Sequence, residues 1–495
     1  MPATTQYLRP SDSKRIDSTR LHAQSLERAF RDNYTSARKY YDGDQTKPLK
    51  VEEDGIDDNV IINLVKMAAD RTISFLFPTM PKLVLDANSA DDNENEQWLL
   101  DSWEHNGGLS LLLKMALTGF LSGHNFVLVQ PPIEGNEYSR VILLDPLRVV
   151  PYWHVSDINK VVYYEIMWQS DKFKYILDVV NIPKSTQRRP VVGNIDHEMA
   201  ENPDKYIVER SDNGDGTFED NLYELYEVPE HWELIQYKGI GYQDMIEQDR
   251  AVWNSPYGPI VHWQHLPRPN SFFGGHEFTN KGLQDVANLM FSNINRIIRY
   301  HGSPKTVVTG VLAEDVVPTA VNGLWAIENP DAKVVNLEMQ SELRAAQEIL
   351  QLAIDSFFAE ARVVLLKRDV KDFQRVTNAG VRTAFMDALS KNSILRQQYH
   401  PAIANISHRM ALAAGSGDLI PEVVGSDPLP TDELEVLNVM KLEYDMGITS
   451  QQYMAQRRRI PWETIKQQRK AEEAEGLVKE QQSNSQGLTS TEEPV

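Results

Sequence analysis

The chain has 495 residues, 41% hydrophobic and 24% charged, with 50 Lys+Arg against 71 Asp+Glu and a formal net charge of -21. That is the composition of a soluble protein with a real core, long enough for roughly three domains, or two with elaborations. Its sequence pI of about 5.1 excludes a protein that grips nucleic acid along its whole surface, and the lack of cysteine excludes disulfides and thiolate metal ligands.

The N-terminus, MPATTQYLRPSDSKRIDSTR, has no apolar core of the signal-peptide kind, and no window approaches the roughly 18 apolar residues of a membrane helix. A cytoplasmic, soluble product, or one assembled there, is expected. Residues 11–42 carry helical spacing at Leu21, Leu26, Phe30, Tyr34 and Tyr41. IINLVKMAADRTISFLF, 61–77, predicts a second amphipathic helix that stops before Pro78. DNENEQWLLDSWEHNG and LSLLLKMALTGFLSG predict two more, ended by Gly107 and Gly123.

The pattern then changes. NFVLVQ, RVILLD, VVPYWHV and KVVYYEIMWQ are β-branched or aromatic runs between turns; KYIVER and LYELYEV flank SDNGDGTFEDN as a hairpin. WELIQYK and PIVHWQHL complete a β-rich region from about 125 to 266. From 276 to 301, Leu283, Val286, Met290, Ile294 and Ile297 make one helix face apolar. At about 1.5 Å per residue that helix is about 39 Å long. Residues 303–339 form a mixed segment with short strands, and a second long helix over 341–365 carries Leu343, Ala346, Leu350, Ala353, Phe357 and Val364. After KRDVKDFQRVTNAG a third helix runs from about 381 to 413, with a kink expected at Pro401. Two short helices follow, with a Thr449-x-x-Gln452 capping box. The tail, VKEQQSNSQGLTSTEEPV, has almost nothing to bury and is expected to be disordered. The fold class is α+β.

Chemical motifs are scarce. PNSFFGGHEF, 269–278, places two glycines, a histidine and a glutamate ahead of a helix, as a phosphate cradle or metal site would. A phosphate loop needs G-x-x-x-x-G-K-[ST], and Gly275 to Gly282 reads GHEFTNKG with no hydroxyl after the last glycine. A turn at Gly274 and Gly275 is the better reading. His262 and His265 sit three apart on a predicted strand, hence on opposite faces, and cannot share a metal there. SDNGDGTFEDN has Leu222 where a calcium loop needs its last glutamate. The acidic run 86–97 suits a solvated linker entering a helix; its competing reading is metal-assisted hydrolysis by Asp91, Asp92 and Glu94. No G-x-S-x-G elbow or H-E-x-x-H pair is present. The residues point to no enzyme and no cofactor. Lys367, Arg368, Lys371 and Arg375 remain, a basic cluster open to two readings: helix C-terminal charge, or transient contact with phosphates.

The order of these parts resembles the portal proteins, or head–tail connectors, of tailed bacteriophages, particularly the long-tailed type. Three stretches carry the resemblance: LSGHNFVLVQPPIEGNEYSRVILLDPLRVVPYWHVSDINKVVYYEIMW is similar to the wing, PNSFFGGHEFTNKGLQDVANLMFSNINRIIRYHGSPKTVVTG to the junction of wing, stem and clip, and MGITSQQYMAQRRRIPWETIKQQRKAEE to the C-terminal crown. Together they cover most of 60–475. Residues 1–60 match no part of that family and are read as an N-terminal helical extension; the resemblance implies a wing that is helical and then β-rich (61–268) and stem helix 1 (269–302). The clip (303–340), stem helix 2 (341–365), a tunnel loop (366–378), the wing's long helix with its following loop (379–429), the crown (430–475) and the tail (476–495) would follow. Gly274 and Gly275 would be the wing–stem corner, with His276 and Glu277 opening the stem helix. Lys367, Arg368, Lys371 and Arg375 would line the DNA channel, and Glu314, Asp315 and Trp325 would serve partner docking at the clip.

The function implied is a conduit at one capsid vertex, a homo-oligomeric ring of twelve copies through which double-stranded viral DNA is packaged and ejected. Implied partners are the terminase large subunit, the major capsid protein and scaffold, and then a head-completion, adaptor or tail protein; no membrane is involved. Twelve helices about 10 Å apart give a diameter of about 38 Å and, less one helix width, a bore of roughly 28 Å. An acidic ring would let DNA slide where a basic one would hold it. The runner-up is a metal-dependent nucleic-acid processing enzyme using the acidic segments; a third reading is an adaptor that never closes a ring.

Overall fold

A computed structural model describes residues 30–50, 57–85, 91–154, 157–191, 205–212, 218–241, 244–302, 305–309, 331, 333–337, 343–365, 378–429, 433–451, 454, 462, 465–468 and 470. The chain divides into two compact units, one of 1–369 with 384–428, the other of 370–383 with 429–495.

In the first unit a helix through residues 30–42 (α1) buries Tyr34, Ala37 and Tyr40 in the main core. Helix α2 (Leu64–Leu76) starts where the Asn63 side chain accepts from Lys66 N, and it buries Leu64, Val65, Ala68, Ala69, Ile73 and Leu76. That spacing is one helix face. Strand β1 (Lys82–Val84), helices α3 (Asp91–His105) and α4 (Gly108–Ser122), and strand β2 (His124–Gln130) follow. The acidic run therefore enters α3, and Glu96 accepts the Leu85 backbone N–H at 2.7 Å.

The β-rich region holds β3 (Arg140–Leu144), β4 (Val149–His154), β5 (Asp157–Ser170), β6 (Phe173–Ile182), β7 (Ser185–Pro190), β8 (Tyr206–Asp212), β9 (Phe218–Val228), β10 (His231–Gly239), β11 (Ile246–Trp253) and β12 (Ile260–Gln264). They form a five-stranded sheet, β11-β10-β6-β5-β4, and two three-stranded sheets, β12-β2-β3 and β7-β9-β8, with every pairing antiparallel. β8 and β9 are the hairpin expected around SDNGDGTFEDN. β2 is buried along nearly its whole length because it is central and covered by α4 and a later helix.

Helix α5 (Lys281–Gly302) then leads to β13 (Lys305–Thr309), which pairs antiparallel with β14 (Lys333–Leu337), and helix α6 (Leu343–Glu360) packs back on α5. A short helix α7 (Asn378–Ala384) precedes α8 (Met386–Ala414), which runs on through Pro401 without interruption and packs on β2, β12 and α2. β15 (Glu422–Val424) closes on β1. In the second unit, helix α9 (Glu433–Asp445) buries Met440 and ends ahead of Gly447, whose φ is 72°. The expected capping box cannot be followed, since Gln452 lies outside the described residues.

Helix α5 is polar on its inner face: Gln284, Asn288 and Ser292 are all at most 1% exposed. They hold the backbone of an extended strap, residues 57–63. Ser292 Oγ accepts from Val60 N (3.0 Å), Asn288 Oδ1 from Ile62 N (3.0 Å) and Gln284 Oε1 from Leu64 N (3.0 Å), while Gln284 Nε2 donates to Ile62 O (2.6 Å). Asn295 Nδ2 donates to Asp58 O, and Arg296 and Arg299 close on the buried Asp58 carboxylate at 3.2 and 2.6 Å. The match is geometric. One helical step of four residues is about 6.0 Å and two residues of extended chain about 6.7 Å, so the two rows stay in phase over three repeats. Replacing Gln284 by Met should strip the Leu64 and Val65 amides of their side-chain acceptor and leave the Ile62 carbonyl only its 3.2 Å bond from Leu64 N, at a cost of about 1–3 kcal/mol. Chemical denaturation should show that loss, and hydrogen exchange at Val60, Ile62 and Leu64 should accelerate; unchanged exchange would mean that packing alone holds the strap.

Candidate functional site: a glycine crossing above a buried ion network

The segment between β12 and α5 is where the chain leaves the sheets. Just past β12, His265 N donates to Gly123 O at 2.8 Å, and Leu266 and Gly275 exchange backbone hydrogen bonds of 3.3 and 2.8 Å. Glu277 N then donates to Phe120 O at 3.0 Å. The loop so closed crosses the end of α4 at contact distance. A Cβ on Gly274 would lie 2.3 Å from Gly123 O, and one on Gly123 would lie 2.7 Å from Gly274 O. Gly123 also has φ +88°, as the left-handed cap of α4. Gly275 is less constrained, since its Cβ would meet Leu266 Cβ at 3.4 Å. The sequence marked both Gly274 and Gly275 as a corner; the close approach belongs to Gly274, and its other half is Gly123.

Below the crossing lies a set of polar side chains almost free of water. Glu277 Oε1 accepts from His265 Nε2 at 2.8 Å, and Glu277 Oε2 pairs with Lys391 Nζ from α8. Lys391 Nζ also donates to Thr72 Oγ1 (3.0 Å) and to Ala361 O (2.9 Å), so all three of its protons are committed. His265 Nδ1 meets the Tyr399 hydroxyl at 2.8 Å, and Asn125 Nδ2 donates to that hydroxyl at 3.3 Å. Burial, the largest effect, would raise the Glu277 pKa, but the Lys391 charge and the His265 hydrogen bond outweigh it, and the carboxyl is held below its ordinary value. Burial pushes the Tyr399 phenol up. A carboxylate only accepts and Tyr399 keeps its proton, which assigns the direction: Tyr399 O–H to His265 Nδ1, and Nε2–H to Glu277. A Cβ on Gly119 of α4 would sit 2.2 Å from the Tyr399 oxygen and 2.8 Å from His265 Nδ1. The network thus requires a glycine in the helix above it.

This geometry corrects one expectation. His276 and Glu277 do not open the stem helix; α5 starts at Lys281, with Gln284 N donating to Asn280 O. Glu277 turns inward to Lys391 and His265, and the chain needs three more residues before it can begin a helix. His262 and His265 separate as their odd offset requires. His262 stacks on Phe272 (centroids 3.9 Å apart) among Phe126 and His124. Its Nε2 and both ring nitrogens of His124 are buried without partners among the described residues. Burial pushes His262 down to about 3 and His124 well below its usual value.

Lys367, Arg368, Lys371 and Arg375, and likewise Glu314, Asp315 and Trp325, lie outside the described residues. Among the described residues no three His, Cys, Asp or Glu side chains are placed to hold a metal, and no helix is long and apolar enough to cross a membrane. The sequence reading missed Lys391, Tyr399, Asn125 and Gly119. Lys391 left a trace, as a lysine on the otherwise buried stripe of α8.

No family model and no curated protein matches the chain. Among solved structures it is similar to a chain from the neck of an empty gene transfer agent particle computed with C6 symmetry. That match is 13% identical, covers 80% of this chain and 90% of the other, and has a TM-score of 0.44. A second, from the virion of a native gene transfer agent particle, is 11% identical over 87% and 94% with a TM-score of 0.43. Scores at this level establish no shared function.

Two outcomes follow from the geometry. Lys391→Met would leave Glu277 buried against a single neutral partner, at a cost of about 3–5 kcal/mol; calorimetry should show a large fall in melting temperature, and a small one would make the pair superficial. His262 binds a proton unfolded but not folded between its ordinary value of 6.5 and about 3. Stability therefore falls as pH drops through that window, by on the order of 5 kcal/mol if the whole shift is realised. His262→Phe, which keeps the stack on Phe272, should flatten the dependence of melting temperature on pH there; an unchanged slope would remove His262 as its source.

Proposed function

We propose that this chain is the subunit of a phage portal, a ring-shaped conduit for double-stranded DNA at one capsid vertex, and not an enzyme. The observation that carries the reading is the route of the chain. It leaves the β-rich body at the glycine crossing, runs out along α5, turns through the β13–β14 pair, returns along α6, and rejoins the body as α8 packed on β2 and β12. A wing, stem and clip need such an out-and-back excursion, and the middle of the three sequence stretches similar to portal proteins, 269–310, runs along its outgoing arm.

Surface chemistry supports assembly through the excursion. Val286 and Ile298 on α5 are 40% and 53% exposed, and Ile349 and Leu352 on α6 are 48% and 66% exposed. Ala287 and Ile294 of α5 are buried, so Val286 and Ile298 are the apolar residues it leaves outward, where neighbouring copies would cover them. Head-to-tail contacts of this kind close into rings. A net charge of -21 on each copy keeps a duplex hydrated and sliding, while Lys367, Arg368, Lys371 and Arg375 touch phosphates in passing. Packaging would draw its energy from a separate terminase, and the clip would be its docking surface. Terminase, capsid and scaffold contacts, then head-completion or tail proteins, are the partners of this reading, and the virion its place.

Light scattering on the purified protein tests it. Twelve copies of 56.4 kDa give a particle of about 680 kDa, and reversing the four basic charges to Glu should change DNA retention while leaving that mass intact. A species that stays monomeric even with capsid components present would contradict the proposal. Divalent-metal-dependent nucleic-acid hydrolysis lost on mutation of Asp91, Asp92 and Glu94 would favour the enzyme reading instead.

A further inference from the structure

Helices α2 and α8 part at one end to leave a cleft of about 530 Å³ with an apolar floor. Phe75 of α2 and Phe385, the residue before α8, stack there with centroids 6.0 Å apart, and Leu395 and Val363 complete the floor. Among the described residues nothing fills it. Arg71 and Arg362 stand exposed on its rim, and neither has a carboxylate partner among the described residues. Lys391 also borders the cleft, but its protons are all used by Glu277, Thr72 and Ala361. Arg71 donates one N–H to Val364 O at 3.3 Å and lies over the Phe358 ring, so Arg362 and the remaining N–H groups of Arg71 are what the rim offers a ligand.

Beyond Asn392 and Pro428, on the same face of α8, lies a second cleft of about 700 Å³ bordered by Arg396 and His400. Arg396 donates one N–H to Ser426 O, while its Nε lacks a partner among the described residues. Asn392, between the clefts, is 5% exposed and its Oδ1 is likewise unpartnered. Against these cations stand Asp70, which accepts from the Tyr41 hydroxyl, and Asp427. Asp427 acts on Arg396, but three arginines against two aspartates leave this face net positive in a chain of net charge -21, and its complement is acidic.

We infer that this face of α8 is a docking groove for an acidic peptide segment of a partner protein, which seats one large apolar side chain between Phe75 and Phe385. The helix sets the spacing. From Ala388 at the first cleft to Arg396 at the second is eight residues, about 12 Å, which an extended peptide spans in roughly three to four residues. The segment recognised has an acid beside its apolar anchor, for Arg71 and Arg362, and a second acid three or four residues on, for Arg396. A nucleic acid duplex fits less well, because its backbone offers phosphates but no side chain to fill the apolar floor.

The probe is a fluorescein-labelled peptide, Glu-Phe-Ser-Gly-Glu, titrated with the full-length protein and read by anisotropy. Saturable binding is expected, at least tenfold weaker for the peptide with Ser in place of Phe and for the protein carrying Arg71→Glu with Arg396→Glu. Arg71 is exposed and Arg396 half-buried, and an unchanged melting curve would show the variant folded. Ala388→Trp, which fills the first cleft, should abolish the preference for Phe. No saturation by about 1 mM, or equal affinity for the two peptides, would overturn the inference. A duplex oligonucleotide that bound with the same arginine dependence while the peptide did not would replace it with a nucleic-acid site.

Discussion

A carboxylate removed from water is costly by several kcal/mol unless charges and donors surround it, and Glu277, 6% exposed by side chain, is surrounded by His265 and Lys391. Glu277 and those two partners come from three parts of the chain: the turn before α5, the end of β12, and α8. Satisfying one carboxyl therefore fixes how the sheet, the outgoing helix and the returning helix meet. The backbone above has to come close enough to shut water out, and this is why Gly119, Gly123 and Gly274 stand where any Cβ would collide. The glycines and the ion network are two sides of one constraint.

The same logic recurs along α5, where the buried row is polar and the strap 57–63 supplies its partners. The same helix buries Ala287 and Ile294 and leaves Val286 and Ile298 exposed; on the proposed reading those two, not the amides of Gln284 and Asn288, would meet another copy.

Much of this was legible from residue order. The α+β character, the switch to strands near 125, the hairpin around 213–217 and the two long helices flanking a strand pair follow from periodicity and turn residues. The paired glycines before the helix also called for an explanation, which the structure gives as a close backbone crossing of Gly274 over Gly123 rather than a turn. The strap was invisible: DDNVIIN has no periodicity that says its backbone is read by side chains more than 200 residues away. Glu277 was misread as a helix opener because an acid just before an apolar-periodic run is an ordinary helix start, and only the fold brings Lys391 beneath it. The α2–α8 groove could not be foreseen either, since its walls come from four separated stretches of chain.

The most direct measurement of the central claim is electron cryo-microscopy of the assembled protein at a resolution that traces the backbone. The account predicts a closed ring in which α5 and α6 run along an axial pore, with the Gly123–Gly274 crossing at the bend where they leave the body. A ring whose pore is lined by the β-rich sheets, or a particle with α5 and α6 buried inside one subunit, would contradict it.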